Sequence, residues 1–93
     1  MHLEIVTPEA TLFTGKVTSV SVPGVNGEFE MLNNHAPIVS ILKAGFVKIF
    51  GDDIRLEEDV ENKFTKGDKG GVLLAINSGT IEMKDNKIIV LAD

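Results

Sequence analysis

Turn-forming pairs recur along this chain, among them Pro23-Gly24, Asn26-Gly27, Ala44-Gly45, Ser78-Gly79 and Asp85-Asn86. A helix of average length needs about 11 uninterrupted residues with an apolar position every three or four, and no stretch here sustains that period. Between the turns lie runs of about four to seven residues, rich in valine, isoleucine and leucine, many of which alternate with polar neighbours. Such runs suit a pleated surface with one buried face. Turn spacing therefore confines the chain to an all-β fold.

Taken in order, residues 3–6 form a first strand with Leu3 and Ile5 on one face, ended by Thr7-Pro8 because proline donates no ladder hydrogen bond. Residues 10–14 form a second, and Gly15 lets the chain turn. In residues 16–22, Val20 and Val22 share a face opposite Ser19 and Ser21. Asn26-Gly27 is the strongest hairpin signal, and Phe29 and Met31 point inward beyond it. Residues 38–42 are too apolar for a half-wet strand and predict a central strand with both faces at least partly covered. Residues 46–50 follow. Residues 72–76, 80–83 and 87–91, joined by Ser78-Gly79 and Asp85-Asn86, predict a three-stranded meander. The expectation is an antiparallel β-sandwich or flattened barrel of about nine to ten short strands, one domain over residues 1–93.

Residues 51–71 break the rhythm. Asp52, Asp53, Glu57, Glu58, Asp59, Glu61 and Asp68 outnumber Arg55, Lys63, Lys66 and Lys69, with Ile54, Leu56, Val60 and Phe64 as spaced apolar anchors. This acidic insert reads as a ragged edge hairpin or a mobile loop, flexible over residues 66–71.

A chain of 93 residues buries only about 60–65% of its unfolded surface, yet 43% of its residues are apolar and its mean hydropathy is +0.15. That excess predicts apolar surface reserved for a partner. A net charge of −5 disfavours nucleic-acid backbones, and the absence of cysteine removes disulfides and thiolate chemistry. No basic, apolar leader opens the sequence, and no run approaches the ~20 apolar residues of a spanning helix. The expected protein is soluble, or held at a membrane only through partners.

Candidate chemistry is sparse. His35, between Asn33-Asn34 and Ala36-Pro37, has no nucleophile or orienting carboxylate at a useful spacing and reads as a turn or interface histidine; His2 reads as solvated. The acidic insert lacks the spacing and glycine of a calcium loop. Residues 67–71 lack the Gly-Lys-Ser/Thr ending of a phosphate loop. Neither a metal site nor a cofactor site is expected. Glu28 is either a wet-face polar residue or a charge displayed toward a partner from a hairpin tip. A β scaffold with displayed turns points to a binding or structural role.

Four ordered segments add to this reading: Pro8-Glu9 with Phe13 and Gly15; Val17 to Pro23-Gly24; Gly27-Glu28 with His35-Ala36-Pro37; and Ser78-Gly79, Glu82, Asn86 with Leu91-Ala92-Asp93. Together they resemble the sandwich domain of the epsilon subunit of F-type ATP synthases. The resemblance implies a non-catalytic central-stalk subunit that fastens the gamma subunit to the membrane-embedded c-ring, so that proton-driven rotation reaches the catalytic head. It implies a c-ring-facing region at Val25, Asn26, Gly27, Glu28 and His35, and a gamma-facing side near Thr7. It also implies a peripheral place on the cytoplasmic side of a bacterial inner membrane, without homo-oligomers as the functional state. Three departures stand out. Glu30 and Asn33-Asn34 replace the family's usual glycine and Pro-Gly, the segment between Phe50 and Val72 is longer, and the sequence ends at Asp93 where relatives continue into a helical hairpin. Without that hairpin, neither restraint of ATP hydrolysis nor ATP sensing by this route is expected. The alternative is a free-standing β-sandwich binding module, and a small hydrolase ranks last. A sugar-binding module usually displays Trp or Tyr platforms, and the sequence has neither.

Overall fold

The computed structural model describes residues 1–67 and 70–93. Ten strands follow in order: β1 (His2–Val6), β2 (Thr11–Lys16), β3 (Ser19–Gly24), β4 (Gly27–Leu32), β5 (Ile38–Leu42), β6 (Gly45–Phe50), β7 (Phe64–Lys66), β8 (Val72–Ile76), β9 (Gly79–Lys84) and β10 (Lys87–Ala92). A 3-10 turn spans Glu61–Lys63. Hydrogen bonds join the strands in the order β2-β1-β10-β9-β5-β3-β6-β8-β7, with β4 paired to the remaining edge of β3. The sheet curls over its own apolar side, in keeping with the expected all-β sandwich. All pairs are antiparallel except β1 with β10, which run parallel with Leu3 opposite Ile88 and Ile5 opposite Val90. No turn connects those two strands, so none imposes a direction on the pair.

One ladder organises the two layers. In β5 and β9, Leu42 faces Gly79; in β6 and β8, Gly45 faces Ile76. The register therefore carries on unbroken past Lys43-Ala44 and Asn77-Ser78. β5 with β6 and β8 with β9 are the two halves of one long ribbon that changes layer at those residues. Close approach at the corner demands glycine: a Cβ on Gly79 would lie 2.5 Å from the Leu91 carbonyl oxygen, and one on Gly45 would lie 2.8 Å from the Pro23 side chain.

This ribbon corrects the expected meander. β8 pairs with β6 and β7, whereas β9 pairs with β5 and β10. Ser78-Gly79 sits where the chain crosses between layers and does not reverse. Only the Asp85-Asn86 turn makes a hairpin there, both residues taking positive φ (53° and 63°) as a tight primed turn requires. The predicted hairpin at Asn26-Gly27 forms one residue earlier than expected. Gly24 pairs with Gly27, the chain reverses over Val25-Asn26, and only Gly27 takes positive φ (125°).

The core is an apolar cluster in which Leu3, Ile5, Val20, Val22, Met31, Val47, Ile49, Ile88 and Val90 are fully buried. Burial differs from the sequence pattern in two strands. β3 has no wet face, since Ser19 and Ser21 are buried as well as the valines. β5 has a bare one: Val39 is 76% and Ile41 63% exposed, although strands flank β5 on both sides. The insert takes the edge-hairpin form. β7 pairs with β8, Val60 is buried, and Ile54, Leu56 and Phe64 pack against the core. Of the stretch expected to be flexible, residues 68 and 69 lie outside the described residues.

Because the corner leaves no room beside Gly79, Gly79→Ala is expected to destabilise the domain by about 1–3 kcal/mol through overpacking. Each kcal/mol lowers Tm by about 4–8 °C in a domain of this size, and thermal unfolding followed by circular dichroism measures it. An unchanged Tm would show that the corner can relax.

Candidate protein-docking surfaces

The outer face of β1, β10, β9 and β5 carries a row of aligned residues. Val6 stands beside Leu91, Leu91 beside Thr80, and Thr80 beside Ile41. The neighbouring row holds Ile89, Glu82 and Val39. Because alternate residues share a face, the core partners on these strands (Ile5, Val90, Ile81, Met83) point inward and this row points out. Leu91 is 53% exposed, so together with Val39 and Ile41 it forms an apolar strip in water. An open depression of about 540 Å³ runs along it, with Thr7, Pro8, Ile41, Thr80 and Leu91 among its lining residues. Thr7 is held at the rim by its own turn: its hydroxyl lies 3.1 Å from the Ala10 carbonyl oxygen and accepts the Ala10 N–H at 3.2 Å. Such a strip offers hydrophobic burial, with Thr80 and the Glu82 carboxylate as polar side chains in its aligned rows.

The hairpin tip adjoins the strip. Val25 donates its N–H to the Ile41 carbonyl at 3.2 Å and is itself half exposed. Glu28 is not a free charge. Lys48 of β6, in register with Ser21, reaches across β3 and places Nζ 3.0 Å from Glu28 Oε2. Both partners of this ion pair are partly exposed, so it contributes no more than about 1 kcal/mol, while fixing where the carboxylate points.

Past the other end of β4 the chain turns a corner through Asn33, Asn34 and His35. Asn34 adopts φ 63°, and the His35 N–H donates to the Leu32 carbonyl at 3.1 Å. His35 is exposed, and its Nδ1 lies 2.7 Å from the Ala36 carbonyl oxygen. A carbonyl only accepts, so Nδ1 carries the proton, and in the neutral ring Nε2 keeps an unshared lone pair. Asn86, from the β9–β10 turn, closes the corner with two side-chain hydrogen bonds to it.

The structure thus brings Thr7 together with the apolar strip and keeps Val25, Asn26, Gly27 and Glu28 in one tip. It does not bring Glu28 and His35 together. They lie at opposite ends of the six-residue β4, with about 13 Å of strand between residues 28 and 32. Sequence reasoning missed Val39, Ile41, Thr80 and Leu91 as an exposed set, and Lys48 and Asn86 as supports. The apolar run at residues 38–42 was the one available signal for the strip, but a partner-covered face and a core face look alike in sequence. Lys48 and Asn86 act across strands, and their neighbours appear only once the register is known.

Comparison with known proteins agrees with this architecture. A family model described as the β-sandwich domain of the ATP synthase delta/epsilon chain matches residues 1–93. The ATP synthase epsilon chain of Campylobacter concisus is 41% identical over 93 residues, and that of Campylobacter fetus is 40% identical over 93; each alignment covers all of this chain and 60% of the relative. The chain therefore spans about 60% of the length of the curated relatives it matches. Among solved structures, a chain of the Tetrahymena thermophila mitochondrial ATP synthase central stalk and c-ring superimposes with a TM-score of 0.71 at 15% identity, covering 99% of this chain and 62% of that one. A chain of the Euglena gracilis mitochondrial ATP synthase does so with a TM-score of 0.71 at 14% identity, covering 97% and 48%. At such identities the likeness concerns the fold, whereas the family model spans the sequence from end to end: this chain belongs to the ATP synthase delta/epsilon-chain family and carries its β-sandwich domain.

Proposed function

We propose that the chain serves as a non-catalytic central-stalk subunit of an F-type ATP synthase, fastening the gamma subunit to the c-ring so that rotation driven by protons is coupled to ATP synthesis. The match of the whole chain to the family's sandwich domain carries this reading. The exposed apolar strip supports it, because a strip of this kind on a small domain favours a partner that removes it from water.

In this reading the strip with Thr7 faces gamma. Val39, Ile41 and Leu91 would each gain about 1–2 kcal/mol on burial, given their partial exposure in the free domain. The strip stands on four adjacent strands joined by continuous ladders, so its residues move together under load and transmit torque without local yielding. The c-ring meets the tip at Glu28 and the corner at His35. Since these are separated by the length of β4, the contact runs along the strand and engages the ring at two points. Attachment on the cytoplasmic side of a bacterial inner membrane then comes through the complex. No helix among the described residues is long and apolar enough to cross a membrane.

Co-purification with the cognate gamma subunit tests the reading, and gamma recovered without this chain under conditions where cognate pairs associate would overturn it. Ile41→Asp is expected to weaken gamma binding at least tenfold, because a desolvated carboxylate has no partner there, while Tm changes by no more than a few degrees. Isothermal titration with gamma measures the loss. Glu28→Lys sets two lysines side by side at the tip and is expected to weaken c-ring docking with little cost to the fold. Proton-coupled ATP synthesis by membranes carrying the variant reads this out, and undiminished coupling would remove Glu28 from the contact.

A further inference from the structure

Asn86 is the meeting point of three segments distant in sequence. Its backbone carbonyl accepts the His2 N–H at 3.1 Å. Its side-chain Oδ1 accepts the Asn34 N–H at 2.7 Å, and its Nδ2 donates to Asn33 Oδ1 at 2.9 Å. The orientation of both amides is forced. A backbone N–H only donates, so Asn86 must turn its oxygen toward Asn34; its NH₂ then faces Asn33, which must present oxygen in return. The same Asn33 oxygen accepts from the Met1 nitrogen at 3.0 Å. Asn86 itself holds φ 63°, and Asn34 across from it also holds φ 63°, a region that asparagine enters more readily than most residues. Besides its own Leu32–His35 backbone bond and the Met1 contact to Asn33, the corner carrying His35 is thus held by a residue 52 positions along the chain.

We infer that Asn86 is a positioning residue for the His35 corner: its side-chain amide holds the Asn34 backbone N–H and the Asn33 side chain, so that His35 is presented in one orientation to an acidic or hydroxyl donor group on the ring. The inference rests on the reading that this corner docks on the c-ring. An unclamped corner has to be ordered as it binds, and each ordered loop residue lowers the affinity that its contacts can deliver. Met31, buried in the core two residues ahead of Asn33, anchors one side of the loop, and Pro37 limits the backbone on the other. Between them Asn86 supplies the only side-chain hydrogen bonds that reach the corner from the β9–β10 turn among the described residues.

The test uses the assembled synthase with this subunit in place, together with the isolated chain for amide exchange. Asn86→Gly keeps a residue that tolerates positive φ in the turn and deletes the amide; Asn33→Ala deletes one of the two Asn86 bonds together with the Met1 contact to the same oxygen, and leaves the turn untouched. Asn86→Gly is expected to speed hydrogen exchange at the Asn34 amide about tenfold and to weaken retention of the rotor on c-ring membranes about three- to tenfold, as His35→Ala does. Combining Asn86→Gly with His35→Ala should then weaken retention little further, because both act on one contact. If His35→Ala weakens retention while Asn86→Gly and Asn33→Ala leave it unchanged, the inference fails and the docking reading stands. If His35→Ala has no effect, the docking reading of this corner fails and the inference falls with it. Should Asn86→Gly lower Tm strongly, Asn33→Ala decides: faster Asn34 exchange with unchanged retention overturns the inference.

Discussion

The bent ribbon made by β5–β6 against β8–β9 is the element on which the rest of the domain depends. Its hydrogen-bond register does not slip where the chain passes from one layer to the other, so the two layers cannot slide without breaking the same ladder twice. Gly45 and Gly79 make the bend possible by letting Pro23 and Leu91 come close. Everything proposed to touch a partner hangs from this frame. The apolar strip stands on its β5–β9 half, the tip is tied to Ile41, and Lys48 on β6 holds Glu28.

How much of this was legible in the sequence follows from the range of the interactions. Strand positions are set locally by alternation and turn residues, so nearly every strand from Leu3 to Leu91 could be placed, and the all-β class with them. Pairing is set by contacts far apart in the chain. The expected meander over residues 72–91 failed for that reason: Ser78-Gly79 has the composition of a hairpin turn but sits at a layer crossing. Ser19 and Ser21 alternate with the core valines, yet they are buried too, since β3 lies between β4 and β6. The resemblance marked Thr7, the tip and His35, while their supports in Lys48 and Asn86 depend on register and could not be read.

The surface divides into two kinds of work. One face offers apolar side chains on hydrogen-bonded strands, where contact area and stiffness come together. The other region proposed to meet a partner is small, polar and carried on turns, where orientation matters more than area. A coupling part needs both, since the first kind resists shear and the second selects which partner is engaged.

The strap at residues 52–61 has a consequence of a different sort. It packs by Ile54, Leu56 and Val60, turns Asp52, Asp53, Glu57, Glu58, Asp59 and Glu61 outward, and has only Arg55 to offset them. A flank of that sign is repelled by anionic lipid headgroups. Brought near a bilayer, the domain would turn this side away from the headgroup layer.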